Sequence, residues 1–277
     1  MEFILKSEVE KFEEYLVFEE KSGATIEKYK RDIIAFLNWT GKDEADKKSV
    51  LKYKAYLIEN YAPCSVNSIL SSLNSFFDFC GYYELKTKML KVPKKIFLSK
   101  EKELTRGEYN RLLDAAQRNK KLYYLMQTIC SSGIRVSELK YITVEALRER
   151  QAVIKCKGKM RCILLPGKLC KMLLKYVKNE GIKKGSVFVT KSGKPLDRSN
   201  IWKMMKKLCE NTGIDKQKVF PHNLRHLFAR TYYCVQKDIV RLADLLGHSS
   251  INTTRIYTME TGDIHREQIQ SLGLLRI

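Results

Sequence analysis

The sequence predicts a mainly α-helical protein of two domains, with one small β-hairpin in the second. Three observations carry this expectation. Apolar residues recur at helical spacing through residues 1–85. A lysine-rich stretch broken by Pro93 follows over 86–103. Helical patterns then resume over 104–277 around two short β-leaning runs. A chain of 277 residues that is 44% apolar is long and apolar enough for two cores of ordinary size.

The elements follow in order. Val9, Phe12 and Leu16 recur at i, i+3 and i+7 and define the first helix. Thr25 is a candidate cap for a second, with Ile26, Tyr29, Ile33, Phe36 and Leu37 on one face. A third helix carries Leu51, Tyr56, Leu57 and Ile58. A fourth opens near Pro63, presents Val66, Ile69, Leu70, Leu73, Phe76, Phe77 and Cys80, and stops at Gly81. Its other face holds Ser68, Ser71, Ser72 and Asn74. In the linker, Lys86, Lys88, Lys91, Lys94, Lys95, Lys100 and Lys102 stand against one acid, Glu101. Thr105 and Glu108 have capping-box spacing and start the second domain. Ala152–Cys156 and Cys162–Leu165 flank KGKMR as a strand pair with Gly158 at the turn. Further helices are expected at 167–179, 198–211, 222–234 and 236–246.

Charge narrows the function. Lys and Arg number 52 against 31 Asp and Glu, a net +21, which calls for a polyanionic partner, most simply double-stranded nucleic acid. The linker lysines would then lie along phosphates, and Ser68, Ser71 and Ser72 would suit either a DNA backbone or plain solvent. The eight cysteines form no C-x-x-C pair, which argues against a zinc site or a disulfide framework and for reduced thiols in the cytoplasm. No apolar run approaches the length of a membrane span, so no membrane partner is expected.

Arg135, Lys157, His222, Arg225, His248 and Tyr257 supply the chemistry. Cations with one oxygen nucleophile suit reaction at a phosphodiester. His222 and Arg225 project from one helix face, and Gly247 ends a helix so that His248 falls on the turn. Ser249 or Ser250 then caps a short helix with Ile251 and Thr254 inward, ahead of Tyr257. The two arginines hold phosphate oxygens through planar forks, the histidines donate or move protons near neutral pH, and Tyr257 attacks phosphorus as it loses its proton. Lys157, on the hairpin turn, can reach the leaving 5′ oxygen as general acid; Lys159 and Arg161 stand within four residues and are alternatives. His222 and His226 have the spacing of a metal pair, but HNLRH lacks the glutamate of a zinc-protease motif and no third ligand presents itself, so no metal site is expected.

The chain resembles the tyrosine recombinase, or phage integrase, family, which includes the Xer and Cre types. SGIRVSEL at 132–139 looks like the family's first arginine motif, HNLRH at 222–226 its H-x-x-R motif, LGHSS at 246–250 its second-histidine motif, and Tyr257 its nucleophile. The spacings of 23 from Arg225 to His248 and 9 onward to Tyr257 are family-like. The resemblance implies a two-domain DNA clamp, a helical SAM-like core-binding domain plus a catalytic domain, with Glu138 supporting Arg135. It further implies site-specific recombination by four protomers on two sites, through a 3′-phosphotyrosine and a free 5′-hydroxyl, with no metal, ATP or other cofactor. An accessory DNA-bending protein or a partner recombinase fits the same scheme. Ile269, Leu272 and Leu275 would form a tail helix that docks on a neighbouring protomer, or packs within its own chain. The first domain starts near residue 6, so the simpler Xer- or Cre-like layout is expected. A module that only binds DNA and a relaxing enzyme of the type IB topoisomerase kind are the rival readings.

Overall fold

The computed structural model describes residues 3–4, 7–41, 44–92, 103–156, 159–210, 212–257 and 269–274. The chain divides into two compact units, Met1–Lys94 and Lys95–Ile277.

Among the described residues, the first unit holds four α-helices and a two-residue strand pair. Strand β1 (Phe3–Ile4) runs antiparallel to β2 (Glu44–Ala45). The helices are α1 (Glu8–Phe18), α2 (Gly23–Thr40), α3 (Lys47–Asn60) and α4 (Pro63–Phe79). Pro63 starts α4, where its missing N–H has no helical partner to lose. Ser22, not Thr25, is the cap residue of α2; Thr25 lies inside the first turn, its hydroxyl 2.8 Å from that of Ser22. Phe12, Leu16, Ile33, Phe36, Val50, Leu70, Phe76 and Phe77 are almost wholly buried. Phe12 meets Phe76 edge-on with centroids 5.3 Å apart. Each such side chain contributes about 1.5–3 kcal/mol by leaving water.

Three expectations for this unit need correction. Helix α3 buries Val50, Tyr53 and Leu57, while Leu51 and Ile58 stay about half exposed. Ser72 is fully buried: its hydroxyl donates to Asp32 Oδ2 at 2.8 Å and accepts from Lys28 Nζ at 2.6 Å. It therefore has no surface to offer a DNA backbone, whereas Ser68 is exposed and Ser71 half-buried. Asn74 and Asn67, two turns apart on α4, hold the chain that follows. Asn74 donates to Thr87 O and accepts from Thr87 N; Asn67 does the same at Leu90, all four bonds falling at 2.7–2.9 Å. Lys47 and Lys54 add bonds to the carbonyls of Lys86 and Lys88. The stretch around 86–90, expected as linker, is thus strapped along α4 by amides that mimic a strand neighbour. Lys86 pairs with Asp78 at 2.6 Å, Lys88 and Lys91 are exposed, and Lys94 and Lys95 lie outside the described residues.

The second unit contains α5 (Arg106–Ala115), α6 (Lys120–Ser132), a 3-10 turn (Val136–Tyr141), α7 (Val144–Glu149), the hairpin β3 (Gln151–Cys156) and β4 (Lys159–Leu164), α8 (Gly167–Asn179), α9 (Arg198–Cys209), α10 (Pro221–Gln236), α11 (Ile239–Leu246), α12 (Ile251–Thr254) and a 3-10 turn (Arg255–Tyr257). Thr105 and Glu108 form the expected capping box. The core gathers Leu125, Met126, Ile129, Leu173, Phe188, Met205 and Leu224. The β3–β4 register pairs Gln151 with Leu164 and Cys156 with Lys159, so Met160 and Arg161 belong to the strand rather than to the turn. Two helix ends matter below. Gly133 closes α6 at φ 63° and Gly247 closes α11 at φ 60°, the left-handed region that glycine enters without cost from a Cβ. Among the described residues, no helix is long and apolar enough to cross a membrane.

Candidate active site

The site forms where the ends of α6 and α11 meet the start of α10. Arg225 is buried inside α10, 1% exposed. Its Nη1 donates to Gly133 O at 2.5 Å, and its Nη2 to Leu246 O at 2.7 Å. The Nε–H is buried with no hydrogen-bond partner among the described residues. Arg135 follows the α6 end and is more open, its side chain 38% exposed. It donates to Glu138 Oε1 at 2.9 Å and to Gly247 O at 3.0 Å. Glu138 thus binds Arg135 at both its backbone N–H and its guanidinium. Arg161, reaching in from β4, donates to both Glu138 oxygens at 3.3 and 3.4 Å and to Leu245 O at 2.9 Å.

The consecutive carbonyls of Leu245, Leu246 and Gly247 thus each receive a different guanidinium. These are the last acceptors of α11, left unpaired by the helix and lying at its electronegative end. Backbone oxygens plus one carboxylate let three cations gather in a small space. The gathering leaves a mark on the arginines: burial and then the charge of Arg135 and Arg161 pull Arg225 down to about 10, still cationic at neutral pH.

His248 follows Gly247 directly. Arg225 Nη2 lies 3.1 Å from His248 Nε2, and His248 Nδ1 lies 2.8 Å from Thr254 Oγ1. A guanidinium only donates, so Nε2 accepts and the ring is neutral with its proton on Nδ1, given to Thr254. Burial, then Arg225, Arg135 and Arg161, hold the ring's pKa down at about 4. Ser250 caps α12, Thr254 is fully buried, and Ile251, expected inward, is 49% exposed.

Tyr257 is 5% exposed, packed with Ala229, Leu242 and Leu246. Its ring lies near-parallel to His248 at 6.4 Å, and His226 meets it edge-on at 5.1 Å. His226 also abuts His222 at 4.4 Å, and burial followed by His222, Arg225 and His248 holds it at about 4. Burial raises the phenol's pKa, while Arg225, Arg135 and Arg230 pull it back. His222 is exposed; desolvation by its neighbours, then Arg225, Arg135 and Arg198, lower its pKa. A cavity of about 460 Å³ opens beside it, with Arg135, Ser137, Arg198, Trp202 and Arg225 in its walls.

The structure therefore brings together Arg135, Glu138, His222, Arg225, His248 and Tyr257. Lys157 lies outside the described residues. Arg161 is no longer an alternative for a mobile acid, because Glu138 and Leu245 hold it. Sequence reading passed over Thr254 as a partner of His248, and Arg161 as a partner of Glu138. The signal for Arg161 was strand alternation, since it shares a strand face with buried Ile163 and Leu165. Among the described residues, no group of three His, Cys, Asp or Glu side chains is arranged to hold a metal.

Comparison with known proteins places this geometry. The Phage integrase family model matches residues 102–262, and that of the phage integrase N-terminal SAM-like domain matches 9–80. Tyrosine recombinase XerA of Thermococcus kodakarensis is 31% identical over 276 residues, covering 96% of this chain and 95% of that protein. A lambda integrase dimer bound to a COC' core site superposes with a TM-score of 0.74 at 18% identity, over 92% of this chain and 77% of that one. XerH recombinase bound to difH substrate, in a pre-cleavage complex, superposes at 0.70 with 19% identity, over 91% and 81%. Two domain matches in the family's order, a full-length relative and the assembled residues lead to one conclusion: the chain belongs to the phage integrase family of tyrosine recombinases.

Proposed function

We propose that this protein is a site-specific DNA recombinase that breaks and rejoins strands through a 3′-phosphotyrosine. One observation carries the reading: Tyr257 is buried against His226 and His248, Arg225 lies 3.1 Å from that same His248, and Arg225, Arg135 and His222 line a cationic cavity of about 460 Å³. A phosphodiester entering there would meet the exposed face of Arg135 and the spare Nε–H of Arg225. Tyr257 Oη attacks phosphorus and loses its proton, the bond from phosphorus to O5′ breaks, and O5′ takes up a proton. Arg135 and Arg225 balance the charge that grows on the non-bridging oxygens. Lys157 is the proposed donor to O5′. A phosphate that arrives between the arginines also favours the protonated imidazole, so His248 and His222 gain the ability to donate as substrate binds. One phosphoester replaces another, so rejoining by the 5′-hydroxyl calls for no ATP, and the arginines take the part a metal would play.

Four protomers on two DNA sites complete the reaction. Lys88 and Lys91, exposed beside α4, with Lys86, Lys94 and Lys95, contact phosphates, and Ser68 and Ser71 approach the DNA backbone. Ile269 and Leu272 are each more than half exposed and, with Leu275, which lies outside the described residues, supply the apolar tail that engages a neighbouring protomer. The protein acts in the cytoplasm, where its DNA is.

The test is covalent trapping. Wild type and Tyr257→Phe are incubated with DNA from the host locus in EDTA without ATP, denatured, and the protein-linked DNA is sequenced. The expected result is a wild-type-only adduct on 3′ ends at a discrete site. Adducts at many unrelated sequences would favour a relaxing enzyme; tight, salt-sensitive binding with no adduct would leave a binding module.

A further inference from the structure

We propose that Arg161 is a positioning residue of the cleavage site, a third guanidinium that never touches DNA and sets where Arg135 and the His248 turn sit. The inference rests on the phosphotyrosine reading above. Arg161 joins three segments that are remote in sequence. From β4 it reaches Glu138, the carboxylate that also holds Arg135, and Leu245 O, two residues before Gly247, whose carbonyl holds Arg135 as well. Arg135 and Arg161 therefore share both an acid and a helix end. Among the described residues, removing the inner guanidinium leaves Glu138 with Arg135 as its single partner and Leu245 O with none, and the more exposed Arg135 is then free to follow the carboxylate.

Packing gives the same assignment independently. Arg161 has a side chain only 13% exposed, too enclosed to swing out to a phosphate. A Cβ added to Gly247 would stand 2.3 Å from its Cδ and 2.7 Å from its Nε. The turn that presents His248 is thus shaped around this arginine as well as around its own backbone. Lysine cannot replace it fully, because one ammonium on a shorter reach lacks the fork that meets carboxylate and carbonyl together.

The experiment compares two scissile groups in a nicked duplex carrying the site recovered by trapping: the natural phosphodiester, and a methylphosphonate, whose methyl in place of one non-bridging oxygen removes the charge. Wild type, Arg161→Met and Arg161→Lys are each assayed for single-turnover adduct formation at saturating DNA, with duplex affinity and thermal melting alongside. If Arg161 keeps Arg135 in register on a charged phosphate, Arg161→Met slows the phosphodiester by about tenfold or more. It slows the neutral methylphosphonate by about twofold at most and leaves affinity within about threefold. Arg161→Lys falls between, and it carries the same comparison if the Met variant melts below the assay temperature. Adding Glu138→Gln to Arg161→Met costs no more than the larger single change, since both act through one carboxylate. Equal slowing of both substrates, no slowing, or a loss confined to affinity would overturn the positioning role. A wild type that forms no adduct with either substrate would instead remove the phosphotyrosine reading, and the positioning role with it.

Discussion

Replacing Thr254 by valine tests the site through its least conspicuous member. Valine keeps the shape of threonine but removes the oxygen that accepts the His248 Nδ1 proton at 2.8 Å. Thr254 is fully buried, so water cannot stand in easily. His248 then has two courses. It can keep its tautomer and leave a buried N–H unpaired, at about 1–3 kcal/mol. Or it can move the proton to Nε2, which sets an N–H against Arg225 Nη2 at 3.1 Å and forfeits a charge-assisted bond of similar worth. Either course misplaces the ring or its proton. At 1.36 kcal/mol per factor of ten, about 1–3 kcal/mol corresponds to a cleavage rate lower by about 5- to 160-fold. Single-turnover adduct formation measures the rate, and urea unfolding measures how much of the loss is stability. Thr254→Ser, which keeps the oxygen, should recover most of the rate. A Thr254→Val protein that cleaves at the wild-type rate would refute the tautomer argument, as would a serine variant as slow as the valine one.

The other predictions follow from packing and charge. Gly133→Ala places a Cβ 2.5 Å from Phe228 Cδ1 at a φ of 63° and should cost about 2–5 kcal/mol, read by urea unfolding. Gly181→Ala, at φ 68° with open space around it, should cost only the backbone share of about 1–2 kcal/mol. His226 and His248, held near 4 when folded against 6.5 ordinarily, bind fewer protons in the folded state between those values. Full stability should hold above pH 6.5 and decline as pH falls toward 4, by on the order of 2 kcal/mol at pH 5 after solvent screening. A melting temperature flat from pH 7.5 to 5 would contradict this. Asn67→Ala and Asn74→Ala each remove a double amide bond worth about 1–3 kcal/mol and should speed tryptic cleavage after Lys88 and Lys91 before any global unfolding.

Helices with one apolar stripe were legible in the sequence, and those with two were not. Val9, Phe12 and Leu16 admit a single inward face, which the structure buries. On α3, Leu51 and Ile58 share the spacing of Val50 and Leu57, and only the packing of α2 and α4 decides which pair goes in. Ser72 read as surface because its reason for burial, Asp32 with Lys28, lies 40 or more residues earlier in the chain. At the site, the side chains that carry chemistry announced themselves by type and spacing. What holds them did not, because the holders are mainly backbone: the oxygens of Gly133, Leu245, Leu246 and Gly247 belong to residues whose side chains say nothing of the role. Gly247 was visible as a helix stop, which is the part of its work that sequence can express.

The row of carbonyls at the end of α11 makes substrate capture an exchange rather than an addition. Arg135 and Arg225 already hold Gly247 O and Leu246 O through Nη2, so on the proposed reading a phosphodiester that takes those donors gains only the difference between its own attraction and the bond it displaces. That difference is modest for a singly charged diester and grows with the negative charge on its oxygens. A pentacovalent arrangement, with more charge on those atoms, outbids a neutral carbonyl by the wider margin. The helix end thus works as a built-in competitor that weakens hold on the resting backbone more than on the reacting one. On the proposed reading, tightness toward DNA is left to the lysines, and discrimination between ground and transition state to the oxygens of Leu246 and Gly247.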